Sequence, residues 1–250
     1  MAGVVLIDKG ELIDGKPVLI VKNISREGPG LLDSVLSAHK IPSDLSDLTI
    51  GDPFPAPQGY SVVFVFGGPN SANDESRKMR EELVRIRETV DAGVPFLGIC
   101  LGMQALVKAC GGNVVKSPAK EIGWQDDFGK PYEIDFTDEG KADPLFKGVK
   151  SPMKIFQLHG ETVELADGMS VLATGKHCRM QAVRVGKNAY GIQGHLELTE
   201  RMLMQWLTQD DDLLHEDASE ILLKYATMQA EYEKNGKKVL GNFLKIAGII

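Results

Sequence analysis

As far as Cys110, short apolar runs alternate with segments whose apolar positions recur at helical spacing. Residues 17–22 carry Val18-Leu19-Ile20-Val21, a continuous run suited to a strand buried on both faces. Gly28-Pro29-Gly30 then opens a predicted helix through Leu31, Leu32, Val35, Leu36 and His39, which puts His39 on the core-facing side of the helix end. The Pro-rich piece 52–57 predicts a loop. Residues 60–66, with Val62-Val63-Phe64-Val65-Phe66, predict a strand that runs straight into Gly67-Gly68-Pro69. Met79, Leu83, Ile86 and Val90 share one helical face, so an amphipathic helix is expected over 73–91, capped by Gly93. A strand over 94–99 and a helix over 101–109, stopped by Gly111-Gly112, follow.

From Asn113 to His195 the pattern changes to short strands, expected at 132–136, 153–158, 171–174, 180–185 and 189–193. The chain finishes with helical sequence at 199–207, 216–234 and 239–246. Strand and helix in alternation imply an α/β fold: a doubly wound, mostly parallel sheet flanked by helices, with a smaller antiparallel portion and a helical C-terminal tail. The expected division is a domain over 1–208 and a helical extension over 209–250. The run Asp210-Asp211-Asp212 reads as a helix-capping loop, and the chain holds no internal repeat.

Composition narrows the classes of function. With 43% hydrophobic residues in 250, the chain can bury a substantial core without a metal or disulfide staple. A net charge of −7 with no basic stretch argues against nucleic acid or an anionic membrane as partner. Three cysteines, Cys100, Cys110 and Cys178, make no disulfide framework, which suits a reducing cytoplasm. No signal peptide is recognisable, and no apolar run approaches the ~18 residues of a membrane span. A cytoplasmic location is expected.

The chemistry concentrates at Gly98-Ile99-Cys100-Leu101-Gly102. Gly-x-Cys-x-Gly between a strand and a helix is the cysteine counterpart of the nucleophile elbow, in which small neighbours permit a strained, exposed nucleophile. A thiol at a helix N-terminus also meets the positive end of the helix dipole, which favours thiolate. Cys178 is the rival nucleophile but lacks glycine flanks and a following helix; Cys110 falls at a helix end without a base nearby. A thiol nucleophile needs a base, and the base an orienting group. His195 ends a predicted strand, and Glu197, two residues on, shares its face if the backbone stays extended. His39 and His215 read as structural or solvated. For an oxyanion, the Leu101 amide and the Gly67-Gly68 turn are the candidate donors, although such a turn alone is an ordinary strand-to-helix connection. Gln104, one helical turn beyond Cys100, either holds a polar substrate or packs on the sheet.

Together these pieces resemble the class I (triad) glutamine amidotransferases, which join a Gly-Gly-Pro loop, a Gly-x-Cys-x-Gly-x-Gln elbow and a late His-x-Glu pair in this order. Gln157-Leu158-His159-Gly160-Glu161 looks like the family's His-Gly-Asp segment. Glu121-Ile122-Gly123-Trp124 and Cys178-Arg179-Met180-Gln181-Ala182 are most similar to the amidotransferase domain of GMP synthase, and the resemblance covers 17–206. It implies a flavodoxin-like fold and a catalytic triad of Cys100, His195 and Glu197. It also implies an oxyanion hole at Gly68 and Leu101, and glutamine contacts at Gln104, Leu158, His159 and Gly160. The implied reaction is hydrolysis of the glutamine side-chain amide through a γ-glutamyl thioester on Cys100, releasing ammonia and glutamate without metal or organic cofactor. Three positions depart from the family: Leu196 replaces a proline, Met103 a histidine and Glu161 an aspartate. No ammonia-accepting half is recognisable, so an ammonia-accepting synthetase subunit is the expected partner; oligomers are compatible with these residues. Alternatives are a stand-alone γ-glutamyl peptidase on the same fold, a non-catalytic regulatory module, and a Cys-His-Asp hydrolase of the α/β-hydrolase type.

Overall fold

The computed structural model describes residues 15–250; the N-terminal stretch read for a signal peptide lies outside them. Among the described residues, nine strands form one sheet. Its parallel half contains β1 (Val18–Lys22), β2 (Ser43–Asp47), β3 (Val62–Val65), β4 (Phe96–Ile99) and β11 (Ala189–Ile192), in the spatial order β2-β1-β3-β4-β11. The sheet continues antiparallel through β10 (Ala182–Val185), β9 (Met169–Thr174), β6 (Glu133–Phe136) and β7 (Met153–Lys154). A separate antiparallel pair, β5 (Asn113–Gly123) with β8 (Gln157–Glu164), stands beside it. The helices are α1 (Leu31–Ala38), α2 (Arg77–Asp91), α3 (Leu101–Ala109), α4 (Asp138–Ala142), α5 (Glu200–Trp206) and α6 (Ala218–Ile246).

The period of two along each central strand sends alternate side chains to two apolar layers. Val18, Ile20, Val62 and Phe64 join Leu32 of α1 and Val239, Leu240 and Phe243 of α6. Leu19, Val21, Val63 and Val65 face Met79 and Ile86 of α2 and Leu106 of α3. Both faces are covered, which is why these strands read as unbroken apolar runs. Phe243 meets Phe64 edge-on at 5.3 Å between ring centres, so the C-terminal helix shares the central core. No helix among the described residues is long and apolar enough to cross a membrane.

The α/β architecture expected from the sequence is observed, with five local corrections. The strand expected over 153–158 divides between β7 and the start of β8, which belong to different sheets. β2 was not foreseen, because Ser43, Asp44 and Leu45 are exposed on an edge strand that needs no apolar alternation. β5 was also missed; its burial alternates, but Pro118 interrupts the run. The second helix starts at Arg77 rather than Asn73, since Ser76 is the residue whose side chain caps it, accepting from the Met79 amide. The two helices expected at 216–234 and 239–246 are one, running through Gly236. Gly236 is there for contact: an added methyl would lie 2.2 Å from the Leu196 carbonyl oxygen.

The same close approach holds α3 to the sheet. A methyl on Gly102 would lie 2.2 Å from the Val65 carbonyl oxygen and 2.8 Å from its carbon. Gly102→Ala should therefore lower stability by about 1–3 kcal/mol, read as a lower urea midpoint; an unchanged midpoint would mean that α3 can lift off β3 freely.

Candidate active site

Strand β4 delivers the chain to a turn at Cys100 whose φ of 53° lies in the left-handed region that side-chain-bearing residues avoid. Two hydrogen bonds fix it. The Cys100 amide donates to Ile192 O at 2.8 Å on β11, and the Cys100 carbonyl accepts from Met103 N at 3.0 Å as α3 begins. The flanking glycines let strand and helix meet, since a methyl on Gly98 would lie 2.3 Å from Gly102 O. Cys100 is 7% exposed, and its Sγ lies 3.8 Å from both Leu158 O and Gln193 Nε2.

His195 follows β11 on the neighbouring strand. Its backbone pairs with Phe156, His195 N donating to Phe156 O at 2.7 Å. Its Nδ1 lies 2.8 Å from Glu197 Oε1, with both side chains almost fully buried. Burial opposes a charged ring here, but the Glu197 charge and hydrogen bonds to Cys100 and Glu197 outweigh it and raise the imidazole well above its ordinary range. The ring also stands edge-on to Trp206 at 4.9 Å.

The Gly67-Gly68 turn passes over this pair. A methyl on Gly67 would meet Glu27 Oε2 at 2.3 Å, His195 Cε1 at 3.1 Å and Cys100 Cβ at 3.2 Å. Sequence reasoning missed Glu27, and no local pattern marks it. It is buried, its Oε2 has no hydrogen-bond partner, and burial pushes its carboxyl up to about 7 against the opposing pull of His195. Beneath the turn, Asn23 donates to Phe66 O at 3.3 Å and to Glu82 Oε1 at 2.7 Å, while its Cβ closes the space under Gly68. Leu101 is the first residue of α3, so its amide has no intrahelical acceptor.

A cavity of about 710 Å³ opens above Cys100, lined by Gly68, Gln104, Leu158, His159, Gly160 and Glu27 among others. At its rim Arg26 pairs with Asp210 at 2.5 Å, and Lys120 pairs with Asp212. Asp210 also accepts from the Asp212 and Leu213 amides, so the acidic run does close a turn. Gln104 is buried and engaged: its Nε2 donates to Glu161 O at 3.2 Å and Gln193 Oε1 at 3.3 Å. His159 presents its backbone to the cavity wall while its ring turns to Glu121, Nε2 to Oε2 at 3.0 Å.

Glu121, His159 and Cys178 are the described residues that come together in a metal-compatible group, their ligand atoms within 4.8 Å of one another. Each is already hydrogen-bonded: Glu121 also accepts from Gln181 Nε2 at 3.2 Å, and Cys178 Sγ lies 3.1 Å from Thr162 Oγ1. Burial pushes the Cys178 thiol up, so the group serves as a strut under Leu158-His159-Gly160. His177 turns to Asp126 at 3.2 Å instead of Cys178. Cys110 is half-buried at the C-terminal end of α3. His215 is exposed, and so is His39, contrary to its expected place on the core side. Leu36 is the last buried residue of α1, and the chain turns outward at His39.

A parallel sheet carrying a cysteine on a strained strand-to-helix turn, beside a histidine bound to a carboxylate, defines an α/β protein of the nucleophile-elbow type. The chain belongs to the glutamine amidotransferase class-I family, whose profile matches residues 35–210. It is 34% identical over 145 residues to a putative glutamine amidotransferase-like protein, YfeJ, of Salmonella typhimurium, covering 56% of this chain and 58% of that one. It thus spans little more than half the length of that relative. A glutamine-hydrolyzing GMP synthase subunit of Saccharolobus solfataricus is 31% identical over 187 residues, covering 73% of this chain and 85% of its own. The crystal structure of a glutamine amido transferase from Methylobacillus flagellatus superposes with a TM-score of 0.80 at 28% identity, covering 92% of this chain and 95% of that one.

Glu82 allows a test of the support beneath the glycine turn. Burial raises its carboxyl from 4.5 to about 7, while Asn23 and Lys78 pull the other way. Because the folded state holds this proton more tightly, its contribution is present below pH 4.5 and lost as pH rises through about 7. Glu82→Gln should match wild type at pH 4 and exceed its unfolding free energy by on the order of 2 kcal/mol at pH 8. Urea titrations at both pH values check this, and a gain independent of pH would contradict it.

Proposed function

We propose that the protein hydrolyses the side-chain amide of glutamine through a γ-glutamyl thioester on Cys100. The observation that carries this reading is the strained Cys100 turn facing a buried imidazole that Glu197 holds at 2.8 Å. Cys100 Sγ attacks the amide carbon, and its proton passes to His195. The oxygen, now negative, sits between the Gly68 and Leu101 amides. The tetrahedral adduct collapses, the carbon–nitrogen bond breaks, and His195 gives the proton to departing ammonia. Water then attacks the thioester carbon as His195 takes one of its protons; the second tetrahedral adduct collapses, the carbon–sulfur bond breaks to release glutamate, and His195 returns the proton to the sulfur. Glu197 orients the ring and steadies its charged form throughout. Gln104, already bonded to Gln193 and the Glu161 carbonyl, shapes the wall with Leu158, His159 and Gly160.

The likeness to a GMP synthase subunit supports a partner: a synthetase chain that accepts the ammonia. The cavity favours a second reading. Its volume of about 710 Å³ extends from Cys100 past Lys116–Lys120 to Asp210–Asp212, which is room for a γ-glutamyl amide larger than glutamine.

Ammonia or amine release from glutamine and from a γ-glutamyl dipeptide separates the readings. Cys100→Ala should abolish turnover, and His195→Gln should lower kcat by roughly 10²–10⁴-fold. Dipeptide turnover without glutamine turnover would replace the first reading by the second. Turnover surviving in folded Cys100→Ala would overturn both.

A further inference from the structure

Between the end of β11 and the start of α5 the chain carries both His195 and Glu197 without regular secondary structure. No proline in this stretch fixes the backbone. Its geometry must therefore come from outside. Besides the backbone pairing of His195 with Phe156, three contacts supply it, and two come from α6, a helix lying wholly beyond the segment that the family profile matches. The Tyr232 hydroxyl donates to His195 O at 2.9 Å and accepts from Leu198 N at 3.1 Å, so one oxygen spans the backbone on either side of Glu197. One helical turn on, Gly236 brings the α6 backbone against the Leu196 carbonyl, leaving no space for a methyl. The third contact is Leu31 N, which donates to Glu197 O at 2.8 Å.

The Tyr232 ring is itself locked, 2% exposed and edge-on to Trp124 at 5.1 Å between centres. Trp124 in turn meets Phe156, the backbone partner of His195, at 4.8 Å. Burial, reinforced by the charge of Glu197, pushes the Tyr232 hydroxyl well above the usual tyrosine range, so it remains a donor.

We propose that Tyr232 is a positioning residue: its hydroxyl sets the spacing of His195 and Glu197, and through it the alignment of His195 with Cys100. The C-terminal helix is then part of the working site, although no residue of it touches the reacting atoms. The inference rests on the triad reading given above.

The test uses the full chain as wild type, Tyr232→Phe, His195→Gln and, as a control on the same helix, Tyr225→Phe. Tyr225 donates to Glu233 at 3.2 Å and makes no hydrogen bond to the His195–Leu198 segment. Two readouts are taken: kcat and KM for ammonia release, and the rate of Cys100 alkylation by iodoacetamide against pH, read on the Cys100 peptide by mass spectrometry. The titratable and charged groups that face His195 are Glu197 and Glu27, with Arg26 and Asp210 around Glu27; Tyr225 and Glu233 face Tyr232 and not His195. Removing the hydroxyl should lower kcat by about tenfold or more with KM changed less than about twofold. It should also move the alkylation midpoint to higher pH by about one unit, because a displaced imidazole no longer draws the thiol proton. Tyr225→Phe should leave both unchanged.

Wild-type kcat and midpoint in Tyr232→Phe would overturn the inference. An alkylation profile unaltered in His195→Gln would instead overturn the triad reading itself, whatever Tyr232 does. Should Tyr232→Phe not fold, Gly236→Ala keeps the hydroxyl but sets a methyl against the Leu196 carbonyl oxygen and Leu31 Cδ1, pushing α6, and the Tyr232 hydroxyl with it, off the His195–Leu198 backbone. A fall in kcat with the same alkylation shift is then expected, and a wild-type profile would again overturn the inference.

Discussion

The left-handed backbone at Cys100 governs the whole site. A residue with a side chain holds φ near 53° only when its surroundings over-determine it. Here β4, β11 and α3 all do so. The Cys100 amide is spent on β11, its carbonyl on the first turn of α3, and the glycines on either side let that helix sit against β3 and β4 at distances a methyl would forbid. The result is a sulfur at the carboxyl end of a parallel sheet, at the start of a helix and at the floor of a cavity. In open α/β sheets ligands bind in this place, because strand ends and helix N-termini converge there.

Around the sulfur, the structure concentrates buried carboxyls. Glu197 holds His195 and raises it, and Glu27 lies under Gly67 beside the same ring. Glu82 braces Asn23 below Gly68. Such groups are expensive to bury, and burial drives Glu27 and Glu82 up to about 7, where much of their charge is suppressed at neutral pH. Their positions match the moving parts of the proposed reaction: the imidazole that exchanges protons and the amides that meet an oxyanion. The antiparallel portion contributes rigidity of another kind, with Glu121, Gln181, Thr162 and Cys178 bonded beneath the Leu158-His159-Gly160 wall.

The elements that were legible from residues alone are those whose signal is local. Unbroken apolar runs marked β1, β3 and β4 because each is buried on both faces. Gly98, Cys100 and Gly102 marked the elbow because close backbone approach excludes other residues from the flanks. Strand β2 carries no such signal because an exposed edge requires no apolar period, and the start of α2 is set by the Ser76 cap within a polar stretch that has several residues able to cap a helix. Gly236 suggested a break in α6; the cause of the glycine was a contact with Leu196, far away in sequence.

The class of the protein is written in its local patterns: an alternating α/β sheet, a cysteine on a glycine-flanked turn, and a His-x-Glu pair after a late strand. These follow from short-range sterics and periodicity, which neighbouring residues carry between them. The groups that surround that cysteine are a different matter, because they meet only once the chain has packed. Glu27 reaches it from the loop after β1, Asn23 and Glu82 meet from separate elements, and Tyr232 arrives from a helix 37 positions beyond His195 whose own sequence is merely amphipathic. Each is fixed by packing of segments distant along the chain, and packing at that range leaves no mark on the local pattern.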